Sequence, residues 1–345
     1  MPRRYAPMLA APAGELPDRL AGWAIEPKWD GIRVIAEAGA RAARLWTRNG
    51  NDKAPQFPEI AEALSALARR DGPLVLDGEI VALDAKGKVL RFQALQGRMH
   101  AELEDTLARN TRATRTAFVA FDLLAEGDRS LVALPWSERR RALEARVPAG
   151  RKGIVRRGES VRCGSAAARR LFERARAEGW EGVLLKRVDA PYAAGRRTPD
   201  WRKVKLEREQ EFVIGGYTAP TEGAARDHFG ALLVGYYDDH GRLHYAGKVG
   251  TGYTMATLAM LARRLAPLRR ATSPFVDAPR AMRTATTWVR PELVAQVRYN
   301  EMTEAGILRQ PSFLGLRDDK AAGDVRLEST GSAAMAVTNG MRCAS

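Results

Sequence analysis

The chain of 345 residues holds only two cysteines, Cys163 and Cys343. Two thiols cannot build a four-cysteine zinc site, and they argue against a disulfide framework. No apolar run reaches the ~18 residues that a membrane-spanning helix needs. The opening Met1-Pro2-Arg3-Arg4 lacks the apolar core of a secretory leader. A reducing cytoplasm is the compartment these absences lead one to expect.

Lysine is also scarce. Only 10 of the 56 basic residues are lysine. The chain uses arginine wherever generic positive charge suffices, so a retained lysine marks a place where a guanidinium would fail. An ammonium can lose its proton and become a nucleophile, and a guanidinium in a protein does not. Lys28, Lys186, Lys203, Lys205 and Lys320 all fall in segments singled out below.

What is abundant is positive charge, a net +15, which points to a polyanion: DNA, RNA or an anionic surface. Arginine-rich coding bias gives the same composition. The clusters Arg139-Arg140-Arg141, Arg156-Arg157, Arg169-Arg170, Arg196-Arg197 and Arg202 to Arg208 suit a surface that tracks phosphates, and equally suit solvated helix faces. With 45% hydrophobic residues, the chain can fill two cores.

Short strands are expected at 23–25, 32–37 and 42–46, with a loop at Pro27 to Gly31. Helical spacing covers Pro58 to Arg70, with Ile60, Leu64 and Leu67 on one face. Leu74 to Leu76 and Ile80 to Leu83 read as a strand pair around an Asp77-Gly78-Glu79 turn. Thr116 to Leu124 is a strongly apolar strand. Ser137 to Ala145 and Ser165 to Glu178 read as helices, the second with Ser165 as N-cap and Gly179 as its stop. Gly182 to Lys186 is a short buried strand. Beyond residue 206 come strands at 212–217, 231–237, 243–249 and 293–299, interrupted by one helix at 254–265. That pattern suits a small closed β-barrel. Leu206 to Gln210 reads as a hinge, and residues 323–345 as a disordered tail.

Glu26-Pro27-Lys28-Trp29-Asp30-Gly31 places a lysine at a strand end beside an Asp-Gly turn. A nucleophilic lysine must shed its proton, and nearby cations favour that. Lys203, Lys205, Arg33 and a bound metal are expected to supply the field. Glu79 and Glu181 offer two separated carboxylates, a set that suits Mg²⁺ together with substrate phosphates. Phe121 suits a core position or a purine-stacking one. Lys203 and Lys205 share one side of an alternating strand. Taken singly, each also fits ordinary surface or core structure.

In order, Lys28-Trp29-Asp30-Gly31, Thr47-Arg48-Asn49-Gly50, Asp77-Gly78-Glu79, Phe121-Asp122, Glu181-Gly182-Val183, Lys203-Val204-Lys205 and Arg317-Asp318-Asp319-Lys320 resemble the motif series of the covalent nucleotidyltransferases. That superfamily comprises DNA ligases, RNA ligases and mRNA capping enzymes. The segments Phe212 to Tyr217, Tyr245 to Gly252 and Pro311 to Arg317 resemble the ligase domain of bacterial ligase D, an end-joining enzyme. The resemblance runs over about 300 residues.

The resemblance implies an α+β fold: an adenylation (nucleotidyltransferase, ATP-grasp-like) domain of antiparallel sheets with flanking helices over 1–206, then an OB-fold barrel over 207–322. It implies that Lys28 attacks the α-phosphate of ATP, that AMP passes to the 5′-phosphate of nicked double-stranded DNA, and that the 3′-hydroxyl displaces it. Glu26 is implied to read adenine with Phe121 stacked on it, and Arg33 and Arg48 to engage phosphate or ribose. Glu79 is implied at ribose or metal, Glu181 at a metal (Mg²⁺ or Mn²⁺), and Lys203 and Lys205 at phosphate. Arg317, Asp319 and Lys320 are implied to close over ATP. A monomeric core enzyme at the nucleoid is expected, lacking the N-terminal DNA-binding domain of larger ligases and the polymerase and nuclease domains of ligase D, and aided by Ku or a separate end-joining polymerase. The missing four-cysteine element disfavours an NAD⁺-dependent ligase. A capping-type guanylyltransferase, an RNA ligase and a non-catalytic DNA-binding repair module are the alternatives.

Overall fold

The computed structural model describes residues 5–328, apart from 14–15, 18–19, 100–113, 151–152, 163–165, 179, 207, 221–227, 280–281 and 283–285. Residues 9–205 build two sheets. One runs Ala43–Thr47, Ile32–Ala38, Leu74–Leu83, Arg115–Glu126, Arg129–Ser130, all antiparallel, with Val155–Arg157 parallel beside Arg115–Glu126. The other runs Leu9–Ala13, Arg197–Lys205, Gly182–Arg187, Trp23–Lys28, Val161–Arg162.

Helices cover the outer faces. Ile60, Leu64 and Leu67 of helix Pro58–Asp71 and Leu143 of helix Trp136–Arg146 pack on the first sheet. Ala168, Leu171 and Ala175 of helix Ala166–Ala177 pack on Ile25, Val183 and Leu185 of the second. The inner faces meet each other through Ile35, Phe121, Leu124 and Trp201. Because strand side chains alternate, Val34 and Ala36 face the helices while Ile35 faces the other sheet. Strand Arg115–Glu126 is buried on both faces, which is why it reads as one continuous apolar run.

Asp77-Gly78-Glu79 is not a turn, contrary to the sequence reading. It lies inside one continuous strand, Leu74–Leu83, whose register against Arg115–Glu126 shifts between Asp77 and Gly78. A Cβ on Gly78 would sit 2.4 Å from the Phe118 ring. The glycine therefore serves close packing rather than chain reversal. The expected cap Ser165 and stop Gly179 lie outside the described residues.

Residues 209–316 form a seven-stranded sheet. Its central strand Glu209–Thr218 pairs with Leu232–Tyr237 and Val294–Arg298, which lead outward to Leu243–Val249 and Ser312–Leu316. The two remote edges then meet. Thr251 bridges Ser312, and the Phe313 N–H donates to the Thr251 carbonyl at 2.9 Å. Helix Met255–Leu265, capped by Thr254, fills the barrel with Leu258, Leu261 and Leu265. This is an OB-type barrel. Strands Leu9–Ala13, Thr286–Val289 and Ser312–Leu316 had no sequence expectation, because each is short and lacks clear alternation.

Two expected boundaries move. Glu209 and Gln210, expected in a hinge, are instead buried in the barrel strand. The tail expected from residue 323 is instead structured through Glu328. Val325 is fully buried in the barrel's apolar cluster with Tyr245 and Trp288, and Arg326 bridges Tyr237. One apolar residue, invisible as a pattern, anchors an otherwise polar segment. Among the described residues, no helix is long and apolar enough to cross a membrane.

Candidate active site

Register places the chemistry. Across three strands of the second sheet, Lys203, Leu184 and Glu26 lie side by side, and the next inward-facing row is Lys205, Gly182 and Lys28. Period two then puts Lys28 and Glu26 on one face, together with both strand lysines. The first sheet contributes Arg33 and Glu79 as register partners, with Phe121 beyond them. The turn after Lys28 is tight. A Cβ on Gly31 would lie 2.1 Å from the Ile80 carbonyl oxygen, so only glycine lets the lysine's strand cross beside Glu79.

Between the sheets lies a cavity of about 200 Å³. Lys28, Arg33, Arg48, Glu79, Phe121, Lys203, Arg317, Asp319 and Lys320 line it, joined by Trp29, Trp201, Glu211 and Glu328. Three sequence-predicted site residues are not on that wall. Glu26 is buried and ion-paired to Lys186 at 2.7 Å. Glu181 contacts the Lys28 amine. Lys205 reaches Glu328 at 2.7 Å and the Glu209 carbonyl at 2.5 Å.

The charge nearest the Lys28 amine is thus a carboxylate, which corrects the expectation of a cationic field. Lys203 and Lys205 are instead drawn toward Glu328, Lys203 at 2.6 Å. Arg33 is tied to Asp77 by two hydrogen bonds of 3.0 and 2.6 Å.

The barrel closes the cavity. Arg317 forks onto Asp319 at 2.8 and 2.7 Å, and Lys320 meets Glu211 at 3.1 Å. Asp324 meets Arg48 at 3.2 Å. Gln96 exchanges hydrogen bonds with the Leu316 backbone at 3.3 and 3.1 Å. Glu211 and Glu328 escaped the sequence reading because one fell between the expected hinge and the strand after it and the other in the expected tail. The alternation Val325-Arg326-Leu327-Glu328 was the available signal for the latter.

Burial, and after it the like charge of Glu181, pushes the Glu79 carboxyl up to about 8 against the pull of Lys28 and Arg33. Burial and Lys205 bring Lys203 down to about 8. Although burial works against it, Lys205 and Lys203 hold Glu328 down at about 2. A buried carboxyl that ionises only with difficulty beside a second carboxylate fits a divalent cation, whose charge removes the penalty. No cluster of three or more His, Cys, Asp and Glu able to hold a metal exists among the described residues. Two carboxylates suit Mg²⁺, which keeps water and phosphate ligands.

A second, larger cavity of about 820 Å³ is also lined by Lys28 and Trp29. Its walls carry Lys88, Arg91, Arg140, Arg156, Arg157 and Arg174, with Asp30 and Glu181 near the lysine. Not all the arginine clusters reach it. Arg139 is fully buried and bidentate to Asp122 at 2.8 and 2.9 Å.

A lysine at the lip of an inter-sheet cleft, with carboxylates beside it and an OB barrel folded over the opening, defines a covalent nucleotidyltransferase. Residues 7–205 match the ATP dependent DNA ligase domain family, and residues 225–320 match the ATP dependent DNA ligase C terminal region. The chain is 38% identical over 325 residues to the multifunctional non-homologous end joining protein LigD of Mycolicibacterium smegmatis, covering 94% of this chain and 40% of that protein. It is 36% identical to DNA ligase C1 of the same organism, covering 86% of this chain and 83% of that one. A solved mycobacterial DNA ligase D complexed with ATP and MES shares 38% identity, with a TM-score of 0.61 and coverage of 93% and 97%. The chain belongs to the ATP-dependent DNA ligases. It spans about 40% of the length of the LigD proteins it resembles.

Proposed function

We propose that the chain seals nicks in duplex DNA by carrying AMP on Lys28, in DNA end joining or repair at the nucleoid. The observation that supports this most is that Lys28 lines both cavities at once. A nucleotide in the inter-sheet cavity would be attacked by this lysine, and a 5′-phosphate in the basic groove would then reach the α-phosphorus of the AMP it carries.

In the first step Lys28 Nζ attacks the α-phosphorus of ATP in line with the leaving pyrophosphate. The N–P bond forms as the bridging P–O bond breaks, and Glu181 stands at the amine to accept its proton. Lys203 and Lys205 exchange the Glu328 carboxylate for phosphate oxygens. Phe121 and Glu26 hold the base, and Arg33 and Arg48 the ribose and phosphates. Arg317, Asp319 and Lys320 on the barrel orient the pyrophosphate. Glu79 and Glu181 are the groups that would hold Mg²⁺ or Mn²⁺, which when bound supplies positive charge to the phosphate oxygens. The nicked 5′-phosphate then takes AMP from Lys28, and the 3′-hydroxyl displaces it. For the groove to receive a duplex, the barrel must swing on residues 206–208. Action as a monomer, with Ku or a separate polymerase as helper, belongs to this reading.

Incubation with α-labelled ATP and a divalent ion tests it. The label should stay on the protein, leave on addition of nicked DNA with appearance of sealed product, and vanish in Lys28→Ala. Labelling by GTP in place of ATP would select a capping-type enzyme. No covalent label at all would leave a DNA-binding module.

A further inference from the structure

Lys186 is fully buried, and the ligase chemistry described above gives it no task. It stands in the same register row as Ala24 and Trp201, one row along from Glu26 and Leu184. Its ammonium lies 2.7 Å from Glu26 Oε2. It also lies 4.5 Å from the centre of the Phe121 ring and 4.2 Å from that of Trp201, and donates to the Phe121 carbonyl at 3.4 Å. One cation therefore touches both groups assigned to the base: the carboxylate that would read its edge and the ring that would stack on its face.

The other carboxylate oxygen is unspent. Glu26 Oε1 is buried and has no hydrogen-bond partner. An orphan acceptor of this kind costs about 1–3 kcal/mol unless a ligand satisfies it. Leu184, its register neighbour, lies on the cavity wall, so Glu26 is on the cavity-facing side of the sheet. Burying an ammonium is expensive as well, and an apolar side chain would fill the space at less cost. In a chain that has exchanged most lysines for arginine, a buried lysine in this place answers a need for one compact charge.

We propose that Lys186 is a positioning residue that sets the nucleobase preference, by keeping Glu26 as a fixed, ionised, acceptor-only group facing the purine 6-position. This rests on the reading that Glu26 contacts the base. An ionised carboxylate accepts from the 6-amino group of adenine and repels the 6-oxo group of guanine. Deprived of Lys186, the same carboxylate is an uncompensated buried charge with nothing to hold its orientation toward the base. A carboxylate that is no longer held there does not present its free oxygen to the 6-position, so it no longer distinguishes the two bases.

The test is the ratio of kcat/KM for ATP to that for GTP in covalent labelling of the full-length chain. Purine riboside triphosphate, which lacks any 6-substituent, is the third substrate. Lys186→Met and the double variant Glu26→Gln/Lys186→Met should each narrow the ATP:GTP ratio by about tenfold or more. They should also shrink the penalty for losing the 6-amino group, mainly through KM. The double variant leaves no unpaired buried charge and carries the test if the single one does not fold. A merely structural role would lower both nucleotides in proportion and leave the ratio at its wild-type value, and that result overturns the proposal. Glu26→Ala separates the two levels. If Glu26→Ala collapses discrimination while the Lys186 variants keep it, Lys186 has no such role and Glu26 still reads the base. If Glu26→Ala itself keeps the ratio, the reading of Glu26 fails and the proposal falls with it.

Discussion

Lys203 and Arg139 show how little a basic residue's letter says about its task. Lys203 sits below its ordinary value, at about 8, because it is buried beside Lys205. Its charge is therefore present below that pH and lost as pH rises through it. Since kcat/KM reports the free enzyme, kcat/KM for ATP in self-adenylation should fall on the alkaline side of about pH 8, and Lys203→Arg should move that fall to higher pH. An unchanged profile in the arginine variant would remove Lys203 from the phosphate grip. Arg139 belongs to a cluster that resembles a phosphate-tracking surface, yet it is sealed in the core against Asp122. Arg139→Met should cost about 3–5 kcal/mol, because it strands a buried carboxylate. Adding Asp122→Asn should return part of that loss, and thermal melting of both variants checks the order.

Elements were legible where their periodicity is local and obscure where pairing is long-range. The helix at Pro58–Asp71 announced itself by Ile60, Leu64 and Leu67. Strand Leu243–Val249 matched its expected bounds, and Thr254 capped its helix. The Asp77-Gly78-Glu79 segment misled because Asp-Gly usually reverses a chain, and only the neighbouring Phe118 ring explains the glycine. Lys28, Glu79, Lys203 and Lys320 were legible as a set through the order of their motifs. That Lys28 meets Glu181, or that Lys203 and Lys205 share Glu328, follows from sheet register and chain closure, which no local window contains. The strap at 321–328 makes its own prediction. On the proposed reading Glu328 and an ATP phosphate compete for the same two ammoniums, so Glu328→Ala should lower the ATP concentration that half-saturates self-adenylation severalfold. A rise would mean that the strap helps to build the site instead.

For the whole molecule, the decisive feature is one lysine that lines both the inter-sheet cavity and a larger groove rich in arginine. A net charge of +15 and the groove's cations should make the proposed binding to nicked DNA steeply salt-dependent. Arg157→Glu, on the groove wall, should weaken nick binding and flatten that salt slope far more than it slows self-adenylation. Filter binding across a salt series, set beside labelling by ATP, separates the two. The most direct measurement of the central claim is peptide mapping by mass spectrometry after incubation with ATP and Mg²⁺, before and after nicked DNA is added. The AMP adduct should lie on the peptide containing Lys28 and disappear as DNA is sealed. An adduct on any other residue, or one that nicked DNA leaves in place, would contradict the account.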